Sequence, residues 1–252
     1  MNKLMIGSHI IELEQTTSTN SYAANLLHSG KQIEGTVIIA CEQTQGKGMD
    51  QNVWESEVNK NLTFSIILYP DFLDPAEQFR LTEIISLGIT DFVKTLLPSD
   101  GNIKIKWPND IYIGDRKLCG TLIQNSIIGN NLSESIVGIG LNVNQESFLS
   151  GAPNPVSLKQ ISGINYDLKQ SLLGLCSFIN IRYNQLKTKY YAKIESDYLS
   201  LLYRFDEWHD FIVQEKSVHA RIVGITNYGQ LKLESVEGDI YNCGMKEVVY
   251  CL

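Results

Sequence analysis

Two hydrophobic rhythms alternate along the chain. Runs rich in β-branched and aromatic residues, TVIIAC at 36–41 and NLTFSIILY at 61–69, are bounded by polar loops and predict strands. Between Ala76 and Leu97 the apolar positions Phe79, Ile84, Leu87, Phe92 and Leu96 recur at roughly the helical repeat, and Pro98 predicts the helix end. Three further strand-like runs follow: IKIKW (103–107), KLCGTLIQ (117–124) and ESIVGIGLNV (134–143). Their connections are shorter than the roughly dozen residues a parallel crossover needs, so the sheet is expected to be mixed or antiparallel, in an α+β arrangement flanked by helices. From Tyr166 to Tyr203 the pattern turns long, helical and rich in Lys and Tyr.

The texture changes again near residue 205. FIVQ, SVHARIVGI, GQLKLES, DIYN and KEVVY are five short strand candidates, separated by N-Y-G and E-G-D turn signals. They predict a small all-β barrel near the lower size limit for independent folding, leaning on a larger domain. The expected boundary places residues 1–204 in one domain and 205–252 in the second.

Composition narrows the class. Of 252 residues 43% are hydrophobic and 19% charged, which is globular and excludes disorder. The formal charge is −7, from 21 Lys+Arg against 28 Asp+Glu, which argues against wholesale electrostatic binding to nucleic acid. No apolar run approaches the ~18 residues of a membrane helix. Nor does the start read as a secretion signal, since polar and charged residues interrupt MNKLMIGSHIIELEQ. The five cysteines (Cys41, Cys119, Cys176, Cys243, Cys251) are odd in number and lack a C-x-x-C pair, so they are expected to be buried thiols of a cytoplasmic protein. The four histidines are scattered and suggest neither a triad nor a metal site.

Four clusters carry candidate chemistry. In KWPNDIYIGDRKLCG (106–120), Lys106 closes an alternating strand and Trp107-Pro108-Asn109-Asp110 turns the chain. One reading is a plain β-turn with Lys106 on a solvated face; the other is a lysine held rigidly and aimed at an anionic substrate group. Gln43-Thr44-Gln45-Gly46-Lys47-Gly48 is a glycine-punctuated loop after a strand. Its amides and Lys47 suit an anion, although mobile surface loops look the same, and no Walker loop is present. Ser18 or Thr19, in Thr17-Ser18-Thr19-Asn20, suits the cap of a helix that Gly30 ends. In VGIGLNVN (137–144), Gly138 and Gly140 share one face of a strand, which fits either close approach of a ligand or packing against the long helix.

Taken in order, S-T-N, Q-x-x-G-[RK]-G with W-x-S, K-W-P-N-D followed by [RK]-K-x-x-G, and G-I-G-x-N-V-N resemble the biotin–protein ligases, from about Thr16 to Leu252. The resemblance implies a catalytic domain akin to class II aminoacyl-tRNA synthetases and lipoate ligases, followed by an SH3-like barrel. It implies ATP, Mg²⁺ and biotin as reactants, a biotinyl-5′-AMP intermediate, and final transfer to a lysine of a biotin carboxyl carrier domain. On that pattern Lys106 would bridge the biotin carboxylate and the α-phosphate, with Lys47 screening phosphate charge. Ser18, Thr19, Asn20, Gln43, Lys47, Gly48, Met49 and Lys106 would hold biotin. Gly46, Trp54, Asn109, Lys117, Gly138, Gly140 and Asn142 would lie by the nucleotide. No general base and no resident metal site is implied.

The chain departs from the family in the loop. Where many members read G-R-G-R-R-G-R-x-W, this sequence has Gly46-Lys47-Gly48-Met49-Asp50-Gln51-Asn52-Val53-Trp54. The loss of guanidinium groups implies looser retention of the adenylate. The motifs begin almost at the first residue, so the winged helix-turn-helix of repressor members is expected to be absent, no duplex DNA partner is expected, and a homodimer is compatible with the pattern. A lipoate–protein ligase and a catalytically weak biotin-binding protein are the alternative readings.

Overall fold

A computed structural model describes residues 5–49, 52–97, 102–149 and 154–251. Seven strands among them form one sheet: β1 (Ile10–Thr16), β2 (Val37–Gln43), β3 (Leu62–Leu68), β4 (Ile103–Lys106), β5 (Asp110–Ile113), β6 (Arg116–Ile128) and β7 (Asn131–Leu141). Their order is β1-β2-β3-β7-β6-β5-β4. Only β1 and β2 are parallel, and α1 (Thr19–Ser29) is the crossover that makes this possible. The remaining pairs are antiparallel, as the short connections predict. Two strands escaped the sequence reading. β1 is half-exposed at the sheet edge, and β5 is only four residues long, hidden inside the turn motif.

Strand alternation gives the sheet two unlike faces. Val37, Phe64, Ile66, Val137, Ile139 and Leu141 point into a core shared with α2 (Phe79–Leu96) and α4 (Leu168–Lys187). Gly88 lets these helices meet, because a Cβ there would lie 2.9 Å from Ile179 Cα. The opposite face carries Ile38, Ile67 and Ile136, packed with Ala23 of α1. A single eleven-residue helix covers only part of that face.

The helical stretch 166–203 is broken rather than continuous. α4 stops at Lys187, Lys189 takes a left-handed conformation (φ 59°), and α5 (Tyr191–Leu201) begins after it. A short α3 (Leu158–Ser162) precedes both, closed by a Ser157–Gln160 capping box. At α2 the chain leaves the helix at Leu97 (φ −103°, ψ 129°), the extended geometry imposed on a residue before proline.

All five predicted C-terminal strands are present: β8 (Trp208–Val213), β9 (Lys216–Ile225), β10 (Leu231–Ser235), β11 (Ile240–Cys243) and β12 (Val248–Tyr250). They pair in the order β11-β10-β9-β8-β12, and the outer strands β11 and β12 do not pair, so the barrel is not closed among the described residues. Phe211, Ile222, Leu231 and Leu233 belong to the same apolar core as the larger sheet. Trp107 pins the two units together. Its side chain is 4% exposed and its Nε1 donates to Gly229 O at 2.9 Å. No described helix is long and apolar enough to cross a membrane. The cysteines are all free, but only Cys119, Cys176 and Cys243 are buried. Cys41, near the end of β2, is exposed and Cys251, just beyond β12, partly so.

The same junction buries a carboxyl group. Glu83 on α2 is 6% exposed, and one of its oxygens has no hydrogen-bond partner among the described residues. Arg80, Glu195, Leu199, Thr226 and Asn227 surround it in a small cavity. Burial raises its pKa from 4.5 to about 7; Arg80 opposes the shift, and Glu195 and Glu77 add to it. A folded-state pKa above the unfolded one means stability fully present below pH ~4.5 and lost as pH rises through about 7. The full span is on the order of 3 kcal/mol. Glu83→Gln is therefore expected to flatten the fall in melting temperature between pH 5 and 8 and to raise it at pH 8. A melting curve series unchanged by the substitution would exclude this origin.

Candidate functional site

The uncovered part of the α1 face is a cavity of about 530 Å³. Its floor is the stretch where β7, β6 and β5 present Gly138, Gly140, Gly120 and Asp110. Its walls are the N-terminal turn of α1 and the loop after β2. Its far end is formed by Asn142 and Pro155.

At the α1 end, a polar network is fixed before any ligand binds. Ser18, Thr19 and Asn20 are each 2–3% exposed. Gln43 Oε1 accepts from Thr19 N (2.8 Å) and Thr19 Oγ1 (3.2 Å). Ser65 Oγ reaches Thr19 Oγ1 at 2.8 Å and donates to Asn20 Oδ1 at 2.6 Å. Asn20 Nδ2 donates to Leu122 O and Gln124 Oε1. Ser18 is the N-cap residue by position, yet its hydroxyl makes no cap hydrogen bond. Ser18 lines the cavity wall.

The loop is a hairpin, not a loose anion cradle. Lys47 bridges Val53, Trp54 N donates to Gly46 O at 2.9 Å, and Gly48 N is spent on Asn52 O at 2.7 Å. This corrects the expectation that the 46–48 amides face an anion: Gly46 does not line the cavity, and the Gly48 amide is already used. The Lys47 ammonium donates to Ser21 Oγ at 2.9 Å beside the cavity. Met49 lines the cavity and its sulfur receives Asn109 Nδ2 at 3.1 Å; Asn109 Nδ2 also bonds Thr121 O. Asp50 and Gln51 lie outside the described residues.

Trp54 folds back over the floor. Its ring occupies the space a Cβ would take at Gly140, and Asn20 does the same at Gly138. The glycine pair therefore admits two side chains, neither the long helix nor a bare backbone. Trp54 Nε1 and Asn142 Oδ1 are buried without hydrogen-bond partners among the described residues, a donor and an acceptor in one cavity.

The two lysines of the signature part company. Lys117 lines the cavity, 2.7 Å from Asp110 Oδ2 and 5.8 Å from the Trp54 ring centre. Burial raises the Asp110 carboxyl above its usual range, with Lys117 pulling it back. Lys106 does not line the cavity. It lies two strands further out than Lys117, on edge strand β4, with Tyr112 Oη at 3.3 Å and the Tyr250 ring centre at 5.0 Å. Strand parity does put it on the correct face; distance along the sheet is what removes it. Among the described residues no group of three or more His, Cys, Asp or Glu could hold a metal.

The profile of the Biotin/lipoate A/B protein ligase family matches residues 12–142, which include the α1 network, the loop, the lysine pair and the glycine strand. The chain belongs to that family. Relatives of this ligase chain include the bifunctional ligase/repressor BirA of Bacillus spizizenii, 28% identical over 93% of this chain and 72% of its own length. Another is the biotin–[acetyl-CoA-carboxylase] ligase of Paracoccus denitrificans, 26% identical over 90% of this chain and 94% of its own. Among solved structures, the biotin protein ligase of Aquifex aeolicus in complex with biotin and ATP superposes with a TM-score of 0.79. It is 25% identical, covering 96% of this chain and 98% of that one.

Sequence reasoning left four residues of this ligase site without roles: Ser65, Asp110, Thr121 and Gln124. Ser65 and Thr63 are polar residues inside an otherwise apolar strand, which is a readable signal. Asp110 stood in the signature itself. Thr121 and Gln124 had no local mark and needed strand pairing to find their neighbours. Since a Cβ at Gly140 meets a side chain and not backbone, Gly140→Ala is expected to expel the Trp54 indole while leaving the fold intact. Acrylamide quenching of tryptophan fluorescence should rise, with the melting temperature nearly unchanged. Unaltered quenching would show that the indole does not rest there.

Proposed function

We propose that the protein is an ATP-dependent biotin–protein ligase that makes biotinyl-5′-AMP and passes the biotinyl group to a lysine of a biotin carboxyl carrier domain. The observation that carries this is the Lys117–Asp110 pair, set between a prebuilt polar network and an unfilled donor–acceptor pair within one cavity. Ser18, Thr19, Asn20 and Gln43 suit the ureido ring of biotin, and Trp54 with Asn142 suits the nucleotide. Relatives named as biotin ligases, and a solved relative holding biotin and ATP, support biotin over lipoate.

The chemistry needs charge screening more than proton transfer. A carboxylate attacking a polyphosphate brings like charges together, so cations fixed in a water-poor cavity lower the barrier through positioning and electrostatics. On this reading the bridging role between the carboxylate and the α-phosphate passes from Lys106 to Lys117, supported by Lys117 lining the cavity where Lys106 does not. Lys47 and the Asn109 amide stand at the loop side. Mg²⁺ supplies further charge neutralisation when it enters on the nucleotide; it is commonly held by one or two carboxylates plus phosphates, and Asp110 fits that role. The same reading divides the chain near residue 204, where the larger sheet's helices end and the five-stranded unit begins. It also places the protein, with its free thiols, in the cytoplasm and gives it no duplex DNA partner.

Labelled biotin, ATP, Mg²⁺ and a purified carrier domain test the activity directly; label that stays unattached, or is displaced by lipoate, would reject the reading. Lys117→Met should slow adenylate formation roughly 100- to 1,000-fold with biotin affinity much less affected. Normal adenylation by that variant would remove Lys117 from the mechanism. For the loop, Met49→Arg should slow dissociation of biotinyl-AMP about tenfold or more by restoring a charged donor. An unchanged off-rate would mean that position 49 does not reach the phosphate.

A further inference from the structure

Asn20 lies across the middle of the sheet. Ser65 of β3 pairs with Gly138 of β7, and Gly138 pairs with Leu122 of β6, so the three form one row on the cavity face. The side chain that Gly138 lacks is the space the Asn20 amide fills. From there Asn20 reaches both ends of the row: its Oδ1 meets Ser65 Oγ at 2.6 Å, and its Nδ2 meets Leu122 O at 3.2 Å. Ser65 is fully buried beneath it and does not itself line the cavity. Thr63, two positions earlier on the same strand face, spends its hydroxyl on Ala40 O at 3.1 Å, a bond within the sheet. The Ser65 hydroxyl is directed at α1 instead.

Donor and acceptor chemistry fixes the direction of each bond in this chain. A backbone carbonyl only accepts, so Leu122 O takes the Asn20 NH₂ and the Asn20 oxygen is turned towards Ser65. A serine hydroxyl has one proton, and Asn20 Oδ1 can only accept, so that proton points at Asn20. Thr19 Oγ1 has two neighbours, Ser65 Oγ at 2.8 Å and Gln43 Oε1 at 3.2 Å. Ser65 has no second proton to give, and Gln43 Oε1 only accepts, already receiving Thr19 N at 2.8 Å. Whichever neighbour it takes, the Thr19 proton is spent inside the network. What Thr19 offers the cavity is a lone pair, which matches an N–H on a ligand and repels an ether or ester oxygen.

We propose that Ser65 is a positioning residue that sets the polarity of this chain and makes the site selective for a ligand carrying a ring N–H. This rests on the ligase reading above, in which the ligand is biotin and the group is its ureido N–H. Ser65 acts through Thr19 and Asn20 and never touches the ligand. Without its hydroxyl, Asn20 Oδ1 loses its donor, and Thr19 keeps only the longer contact to Gln43. The Thr19 proton is then free to turn into the cavity, and a site wired as an acceptor becomes one that takes either kind of partner. A site built to pair a ligand N–H or O–H rejects the analogue lacking it by on the order of 10⁴–10⁵, because its own buried polar groups are left unpaired.

Calorimetry on the full chain can compare biotin with its cyclic carbonate analogue, in which oxygen replaces both ring N–H groups. The native chain should prefer biotin by at least about 100-fold. In Ser65→Ala that preference should fall roughly tenfold or more, through weaker biotin binding with analogue binding unchanged or tighter. Ser65→Cys, nearly the same size with a weaker donor, should lie between the two, and it stands as the test if the alanine variant does not fold. An equal loss for both ligands is what a merely structural role would give. That result, an unchanged preference in the variants, or a native chain that binds both ligands alike would overturn the proposal. A native chain that does not bind biotin would reject the ligase reading instead.

Discussion

A seven-stranded sheet with one face fully covered and the other only half covered sets the terms for everything else. Alternation in β7 sends Val137, Ile139 and Leu141 into the core with α2 and α4, and sends Ile136, Gly138 and Gly140 the other way. Ile136 meets α1; the two glycines do not have enough side chain to fill the space beyond the helix. Apolar area buried on the first face, at roughly 25 cal/mol per Å², supplies the cohesion that lets the second face stay open. The cavity is the unpacked remainder of a sheet whose other side is packed tightly.

The parallel pairing of β1 and β2 makes this arrangement polar as well as open. Its crossover is α1, so the start of that helix must lie at the end of β1, next to the loop that follows β2. Ser18, Thr19 and Asn20 are carried to the cavity wall by that topology, where Ser65 and Gln43 lock them. Side chains held this way pay their ordering entropy during folding, so a ligand meets preorganised partners.

The turn after β4 serves two purposes at once because adjacent residues face opposite ways. Trp107 enters the main core and bonds to Gly229 of the C-terminal unit, whereas Asp110 comes up on the cavity side and pairs with Lys117. Tyr198 Oη reinforces the turn by donating to Pro108 O at 3.2 Å. Removing a buried tryptophan such as Trp107 would cost roughly 3–5 kcal/mol. That docking is coupled through one short segment to the position of the carboxylate in the site. The contact between the two sheets and the cavity are therefore mechanical neighbours, joined by a segment only a few residues long.

Local pattern was sufficient for most strands, for α1 and α2, for the antiparallel bias and for the five C-terminal strands, since alternation, turn residues and short connections are properties of consecutive positions. The polar triplet 18–20, Gln43, Trp54, Lys117 and Asn142 were likewise legible, because each stands within a motif whose spacing is fixed along the chain. Distances across strands were not. Lys106 and Lys117 both look like rigid lysines at strand ends, and only the register, which makes Lys106 the outer member of a pair with Asp110, puts one at the edge and the other in the cavity. Whether the Gly48 amide is free depends on the hairpin that Asn52 closes, and whether Gly138 and Gly140 face a ligand or a side chain depends on where Asn20 and Trp54 fold. Periodicity reports which side a residue faces. Which neighbour it finds there is decided by chain segments distant in sequence, and tertiary packing alone brings those together.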